Sequence, residues 1–294
     1  MRRIAITVLA LCFALAACGG GGQLVSIEEM QPAERAEFLA AASTETVDAG
    51  SSRMYFEMAF GDVGAMTGSG LFDMEAEIGH LTFDFGEFAA ALGAPPGTDA
   101  TAEYITVGFT MYMRMPFLAQ ATGIGDRWIR MDLDSLSGEA GVDLGQLAEA
   151  GSNNPTQSLA FLQGADPETI TEVGQEEITL AGGDGPTVKA THFRATVDLR
   201  VAYENAGAVT DPERFEAFIA QLGTAEIEVD GWIDEDDRVV RMAFAMPVPP
   251  QPGSPVDSVA MTMDLYEFGV QVDITEPSTD EYVDIQDLMG PGAG

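Results

Sequence analysis

Cysteine is nearly missing from this chain, with only Cys12 and Cys18 in 294 residues. Both stand near the N-terminus, so the long remainder has no thiol for a disulfide, a zinc site or a nucleophile. Histidine is equally scarce. His80 and His192 both fall in strand-like alternation, where an exposed or cross-strand role is the ordinary one, and two imidazoles are a thin basis for a transition-metal centre. Positive charge is short as well, with 13 basic against 48 acidic residues. Two of the basic residues, Arg2 and Arg3, precede Cys18, which leaves 11 against 48 and a net charge of −37 beyond it. A surface of that sign excludes nucleic acid as a partner. It also excludes electrostatic attraction to an anionic bilayer.

Catalytic patterns are missing too. Ser69 sits in Gly68-Ser69-Gly70, but Thr67 stands where a nucleophile elbow needs glycine, and the setting is a hairpin. The acidic run Asp234-Glu235-Asp236-Asp237 lacks the spaced ligands and the glycine of a calcium loop and reads as a solvated hairpin tip. No glycine-rich phosphate loop follows a strand. The sequence thus predicts neither an enzyme nor a bound metal or cofactor. The acidic excess is explained by general solubility, including in a salty habitat. Diffuse binding of divalent cations is the alternative.

What is present begins at the N-terminus. Arg2 and Arg3 are followed by an apolar run of fourteen residues, Ile4 to Ala17, and then by Cys18. A charged stretch, an apolar stretch and small residues before a cut are the pattern of a secretory signal. Crossing a bilayer as a helix takes roughly 20 residues, so this run is too short to span one. Leu15-Ala16-Ala17-Cys18 resembles a bacterial lipobox, in which the cysteine receives a diacylglycerol and the signal is cut away before it. Residues 1–17 are therefore read as signal peptide, and 18–30 as acylated cysteine plus a flexible tether that includes Gly19 to Gly22. Residues 31–290 are read as a single domain. Residence at the extracytoplasmic face of the cell membrane would then rest on the acyl chains of Cys18, two or more of which hold stably.

A helix is expected from Pro32 to Ala42. From Arg53 the period changes to two, with Met54, Phe56, Met58 and Phe60 on one side. Strands follow at Gly68–Glu75 and Ile78–Phe85, with a helical turn at Phe88 to Leu92. One long strand of eleven residues is expected, with Ile105, Val107, Phe109, Met111, Met113 and Met115 on one face. A short strand runs from Asp126 to Leu133. Helices are expected at Asp143 to Ala150, after Asn154, and from Pro212 to Leu222, where Phe215, Phe218 and Ile219 form the apolar stripe. Thr169–Val173 and Thr187–Ala202 read as strands, Ile227–Asp234 and Arg238–Met246 as a hairpin, and Val259–Leu265 and Val270–Ile274 as the last two strands. About ten strands with inserted helices and no βαβ alternation predict an antiparallel, mainly β fold of the α+β kind.

Methionine and phenylalanine carry the functional signal, with 15 and 16 copies, many of them gathered on single strand faces. Methionine adapts its shape to irregular apolar partners such as acyl chains. An ordinary core under the helices explains the same pattern. A hydrophobic cavity follows only if the sheet offers more apolar area than its helices cover. The residues named for that cavity are Met54, Phe56, Met58, Phe60, Ile105, Val107, Phe109, Met111, Met113, Phe215, Phe218, Ile219, Met261 and Met263.

The chain resembles the LppX/LprG-type actinobacterial lipoproteins, relatives in fold of the LolA/LolB carriers. The resemblance rests on the lipobox, the Ala-rich helix leading to Ser51-Ser52-Arg53, Tyr112-Met113-Arg114, and Trp128 followed by Asp132. It continues through Val173-Gly174 before Thr191-His192-Phe193, Gly231-Trp232-Ile233-Asp234 leading to Val239-Val240-Arg241, and Phe268-Gly269 before Pro277. It implies a curved half-barrel sheet with helices on the concave face, and between them a cavity for the acyl chains of a lipid or glycolipid moved across the envelope. Phe193 stands where the family has tyrosine, and the chain is more acidic than its relatives. A non-enzymatic envelope sensor or assembly lipoprotein, with a filled core and a protein partner, is the alternative.

Overall fold

A computed structural model describes residues 23–61, 63–86, 90, 97–108, 110–116, 124–132, 155, 159, 161–205, 212–248 and 256–289. Cys18, Phe109, the expected helix at 143–150, the turn at 88–92 and the cap Asn154 lie outside them, apart from position 90. The fold is mostly β, a large curved antiparallel sheet that does not close.

Twelve strands form it: β1 (Ser51–Ala59), β2 (Ala65–Asp73), β3 (Ile78–Asp84), β4 (Thr101–Val107), β5 (Thr110–Arg114), β6 (Trp128–Asp132), β7 (Thr171–Thr179), β8 (Thr187–Asp198), β9 (Glu226–Asp234), β10 (Val239–Pro247), β11 (Ser258–Tyr266) and β12 (Tyr282–Asp284). Their spatial order is β12-β6-β5-β4-β3-β2-β1-β11-β10-β9-β8-β7. Neighbours pair antiparallel throughout, except that β12 runs parallel to its partner β6. The described helices are α1 (Pro32–Asp48), α2 (Leu199–Asn205), α3 (Pro212–Leu222) and α4 (Ile285–Met289), with a short 3₁₀ turn at Phe161–Gly164.

Strand alternation sorts the side chains onto two faces. One face, taken as concave, packs Met54, Phe56, Phe72, Leu81, Phe83, Met242, Met263 and Leu265 against Leu39 and Ala42 of α1, Leu199 and Ala202 of α2, and Phe215 and Ile219 of α3. The expected helical stripe of α3 is therefore the packed one, and Gly223 closes that helix at φ +76°. Three phenylalanines on this face lie over glycines of the next strand: Phe56 over Gly68, Phe72 over Gly79 and Phe193 over Gly231. A Cβ at Gly231 would come within 2.1 Å of the Phe193 ring, so the glycine leaves room for the aromatic. Such glycines also let a sheet bend.

Four sequence expectations are corrected. The eleven-residue strand is two strands, because Gly108 takes φ +54° and reverses the chain between β4 and β5. The helix expected to end at Ala42 runs on to Asp48. Ser43, Thr44 and Thr46 return their hydroxyls to the carbonyls four residues back instead of breaking it. The strand expected at Val270–Ile274 is irregular chain that crosses the opposite, convex face; Gly269 at φ +72° turns it there, and Ile274 packs beside Tyr112 and Trp128. Leu199 to Ala202 belong to α2 and not to the preceding strand, which ends at Asp198.

Candidate functional site

The reversal at Gly108 decides which of the named cavity residues share a face. Val107 pairs with Thr110 and Ile105 with Tyr112, so odd positions of β4 lie beside even positions of β5. Met111 and Met113 stand opposite Thr106 and Tyr104, on the concave face with Leu81 and Gly70. Ile105 and Val107 point the other way and pack with Tyr112, Trp128 and Tyr282 on the convex face. Those two residues are thus removed from the concave set.

The remainder divides by depth. Met54, Phe56, Met263, Phe215 and Ile219 lie within the main apolar cluster. Phe83 fills its centre, its ring 4.6 Å from that of Phe56 and 4.6 Å from that of Tyr104, edge to face in both pairs. Burial pushes the Tyr104 hydroxyl up to about 12. Toward the ends of the strands the packing loosens. Met58, Phe60, Met66, Phe85, Phe218, Phe244 and Met246 are only half-buried. Register brings several of them side by side: Met58 lies between Met66 and Met261, and Met261 lies beside Phe244. Met66, Phe85, Phe244 and Met246 were not among the named cavity residues. Phe85 follows Leu81 and Phe83 at period two, and Phe244 and Met246 stand in the alternation of β10, whereas Met66 sits at the start of β2, ahead of the strand expected from Gly68.

The convex face holds two small apolar clusters, one around Tyr112 and Trp128 and one around Leu180 and Val240, together with side chains tied by charge. Asp264 is fully buried; Arg241 donates to it from Nε at 2.5 Å and Nη2 at 2.7 Å, and the Ala181 backbone N–H adds a third bond at 2.7 Å. The paired carboxylate raises the pKa of the Arg241 guanidinium. His192 stacks on Trp232 at 4.1 Å, and its Nε2 meets Asp230 at 2.7 Å, a cross-strand role in keeping with its register partner. On the same face lies an open cleft of about 600 Å³ lined by Arg53, Tyr55, Ser69, Asp184, Tyr266 and Glu267. Arg53 is paired with Glu267 across it at 2.6 Å. The sequence gives no sign of this cleft because it joins ordinary outward residues of β1, β2 and β11 to a distant turn at 181–186. Among the described residues no group of three His, Cys, Asp or Glu side chains could hold a metal ion. No helix among them is long and apolar enough to cross a membrane.

The sheet, with three helices packed on one of its faces, defines the class: a mainly β chain whose curved, unclosed antiparallel sheet is consistent with a LolA-like half-barrel. No family model and no curated protein matches the chain. Solved structures do. An uncharacterized conserved protein from Thermus thermophilus is 10% identical, covering 85% of this chain and 99% of its own, with a TM-score of 0.35. A DUF1329 family protein from Desulfovibrio piger is 13% identical over 83% and 96%, with a TM-score of 0.29. The MucA/MucB complex of Pseudomonas aeruginosa is 11% identical over 87% of this chain and 62% of the matched one, with a TM-score of 0.30. Scores this low carry no residue correspondence, so the site rests on this chain's own geometry.

Proposed function

We propose that the chain is an exported lipoprotein of the LppX/LprG type, held at the extracytoplasmic face of the cell membrane through an acylated Cys18. It would bind the acyl chains of a lipid or glycolipid non-covalently against its Met/Phe face and carry them through the envelope. The observation that carries this reading is the loosened end of the concave face, where Met58, Met66, Phe85, Phe244 and Met246 keep part of their surface uncovered. Covering apolar surface there contributes about 25 cal/mol per Å² before the entropic cost of association. No bond is made or broken in such a function, and no cofactor enters it.

Two measurements test it. Labelling cells with an alkynyl fatty acid marks the wild-type protein and leaves Cys18→Ser unlabelled. The Cys18→Ser protein, purified and extracted with organic solvent, releases an acyl lipid on mass spectrometry, and Met58→Asp with Phe244→Asp releases much less. Lipid-free protein from a lipid-replete host that also fails to take up added lipid overturns the reading. The packed Phe56-Phe83-Tyr104 centre favours a second one, an envelope sensor or assembly lipoprotein acting through protein contacts, and that outcome would select it.

A further inference from the structure

The geometry points to a second binding site, for a neutral saccharide, in the convex-face cleft between β1, β2, β11 and the tip of the β7–β8 hairpin. It lies on the opposite side of the sheet from the Met/Phe face and does not depend on lipid binding. The cleft exists because the hairpin tip, Leu180 to Pro186, folds back over the sheet. In the strand order β8 and β7 stand four and five places from β1. Even so, a Cβ at Gly182 would come within 2.6 Å of the Tyr55 hydroxyl. Three contacts hold the tip there. Leu180 is fully buried with Ile178, Ala190 and Val240. The buried Asp264 carboxylate accepts the Ala181 N–H at 2.7 Å, and Arg241, its ion-pair partner, donates to the Thr179 carbonyl at 3.0 Å. Ala181 takes φ +54°, uncommon for a residue with a side chain, and Gly182 and Gly183 follow at +65° and +102°. A wall fixed in this way needs no ordering when a ligand arrives.

The lining selects the ligand. Its volume of about 600 Å³ lies inside the roughly 300–1,000 Å³ usual for small-molecule sites. Tyr55 and Tyr266 are diagonal neighbours on β1 and β11, since Tyr55 pairs with Asp264 and Arg53 with Tyr266. Both are half-buried. Such rings offer flat apolar surface with a polar edge, which matches the C–H face of a pyranose. Around them stand groups that bond hydroxyls. The Ser69 hydroxyl, the Asp184 carboxylate and the Tyr266 hydroxyl find no hydrogen-bond partner among the described residues, and the Arg53–Glu267 pair adds a donor fork and an acceptor fork. Other ligand classes fit less well. The cleft's one cation is held by Glu267 and Asp184 adds negative charge, so an anion meets no free partner. An organic cation would meet the Arg53 guanidinium. An acyl chain would desolvate Asp184 and Glu267 without replacing their hydrogen bonds.

Saturation-transfer NMR of the Cys18→Ser protein tests the site with hexamers of an α-glucan, cellulose, mannan and chitin. Hexagalacturonate and hexaglucosamine serve as charged controls. At least one neutral hexamer should show transfer, and neither control more strongly. Ser69→Trp fills the cleft from an exposed strand position and should abolish that signal at an unchanged melting temperature. Asp184→Ala, at an exposed position of the tip, should weaken affinity about tenfold. Lipid released by both variants should equal that of the Cys18→Ser parent, because the two sites lie on opposite faces. The inference is overturned by no transfer from any neutral hexamer, by stronger transfer from a charged one, or by a signal that survives both substitutions. Joint loss of sugar and lipid overturns it as well, since that places both ligands in one site.

Discussion

Glycine at position 70 shows how little freedom single residues have on the concave face. It pairs with Met54 on one side and Leu81 on the other. A Cβ added there would fall 1.9 Å from the His80 carbonyl oxygen and 2.9 Å from the Leu81 Cα, both backbone atoms that no rotamer change can move. Gly70→Ala must therefore push β2 and β3 apart, at a cost of about 3 kcal/mol, the upper end of overpacking effects. A urea melt should show that loss, and a wild-type midpoint would refute the close approach. Tyr104 gives a pH-dependent counterpart. Its hydroxyl titrates near 12 in the folded chain, against 10.0 when exposed, because burial disfavours the phenolate. The unfolded chain then releases that proton first, so the contribution is full below pH 10 and fades as pH rises toward 12. Tyr104→Phe should flatten the alkaline loss of stability measured between pH 9.5 and pH 11.5. An unchanged slope would place the titration elsewhere.

At the scale of elements, α1 is fastened to the sheet through one hydroxyl. Thr46 is fully buried; its Oγ1 donates to the Ala42 carbonyl at 2.6 Å and accepts the Val239 N–H at 2.8 Å. Val239 begins β10 beside a register shift, so its N–H needs a partner from outside the ladder. Thr46→Val keeps the shape and strands that N–H, at a cost of about 1–3 kcal/mol. Thr46→Ser should recover most of it; equal losses for both would mean that packing, not the bond, is at issue. The same segment shows why parts of the fold were legible and others not. β1, β11, the β9–β10 hairpin and α3 each carry a clean period, ended by turn residues or by glycine. Ser43 to Thr46 look like a helix breaker until their hydroxyls have a carbonyl behind them and a sheet in front. Met111 and Met113 continue the alternation of Ile105 and Val107 letter for letter. Only the φ of Gly108 separates one strand from two, and with it half of the named row from the other half. Packing depth was hidden for a different reason: Met54 and Met58 are equivalent in the alternation, yet one is in the core and the other is half-buried.

For the molecule as a whole, the composition makes self-repulsion the strongest long-range force. With 48 acidic residues against so few cations, carboxylates outnumber the partners available to them and sit beside one another. Asp237 is the local sign of it: its pKa is raised, by burial first and then by the charges of Asp234, Glu45 and Asp236. Screening shortens such repulsion, from a reach of about 30 Å at 0.01 M salt to about 8 Å at 0.15 M. The fold should therefore gain stability with salt, and a gain of about 1–2 kcal/mol would raise the melting temperature by roughly 2–8 °C for a chain of this size. The comparison that decides the origin of the effect is between cations. If the charge is diffuse, calcium chloride and sodium chloride at matched ionic strength should act alike to within the modest preference any polyanion shows for a divalent ion. Calcium that stabilises at micromolar concentration would instead require a built site. Among the described residues no carboxylate cluster has the arrangement to provide one, so the expected curves follow ionic strength, and a calorimetric titration with calcium should show no saturable heat.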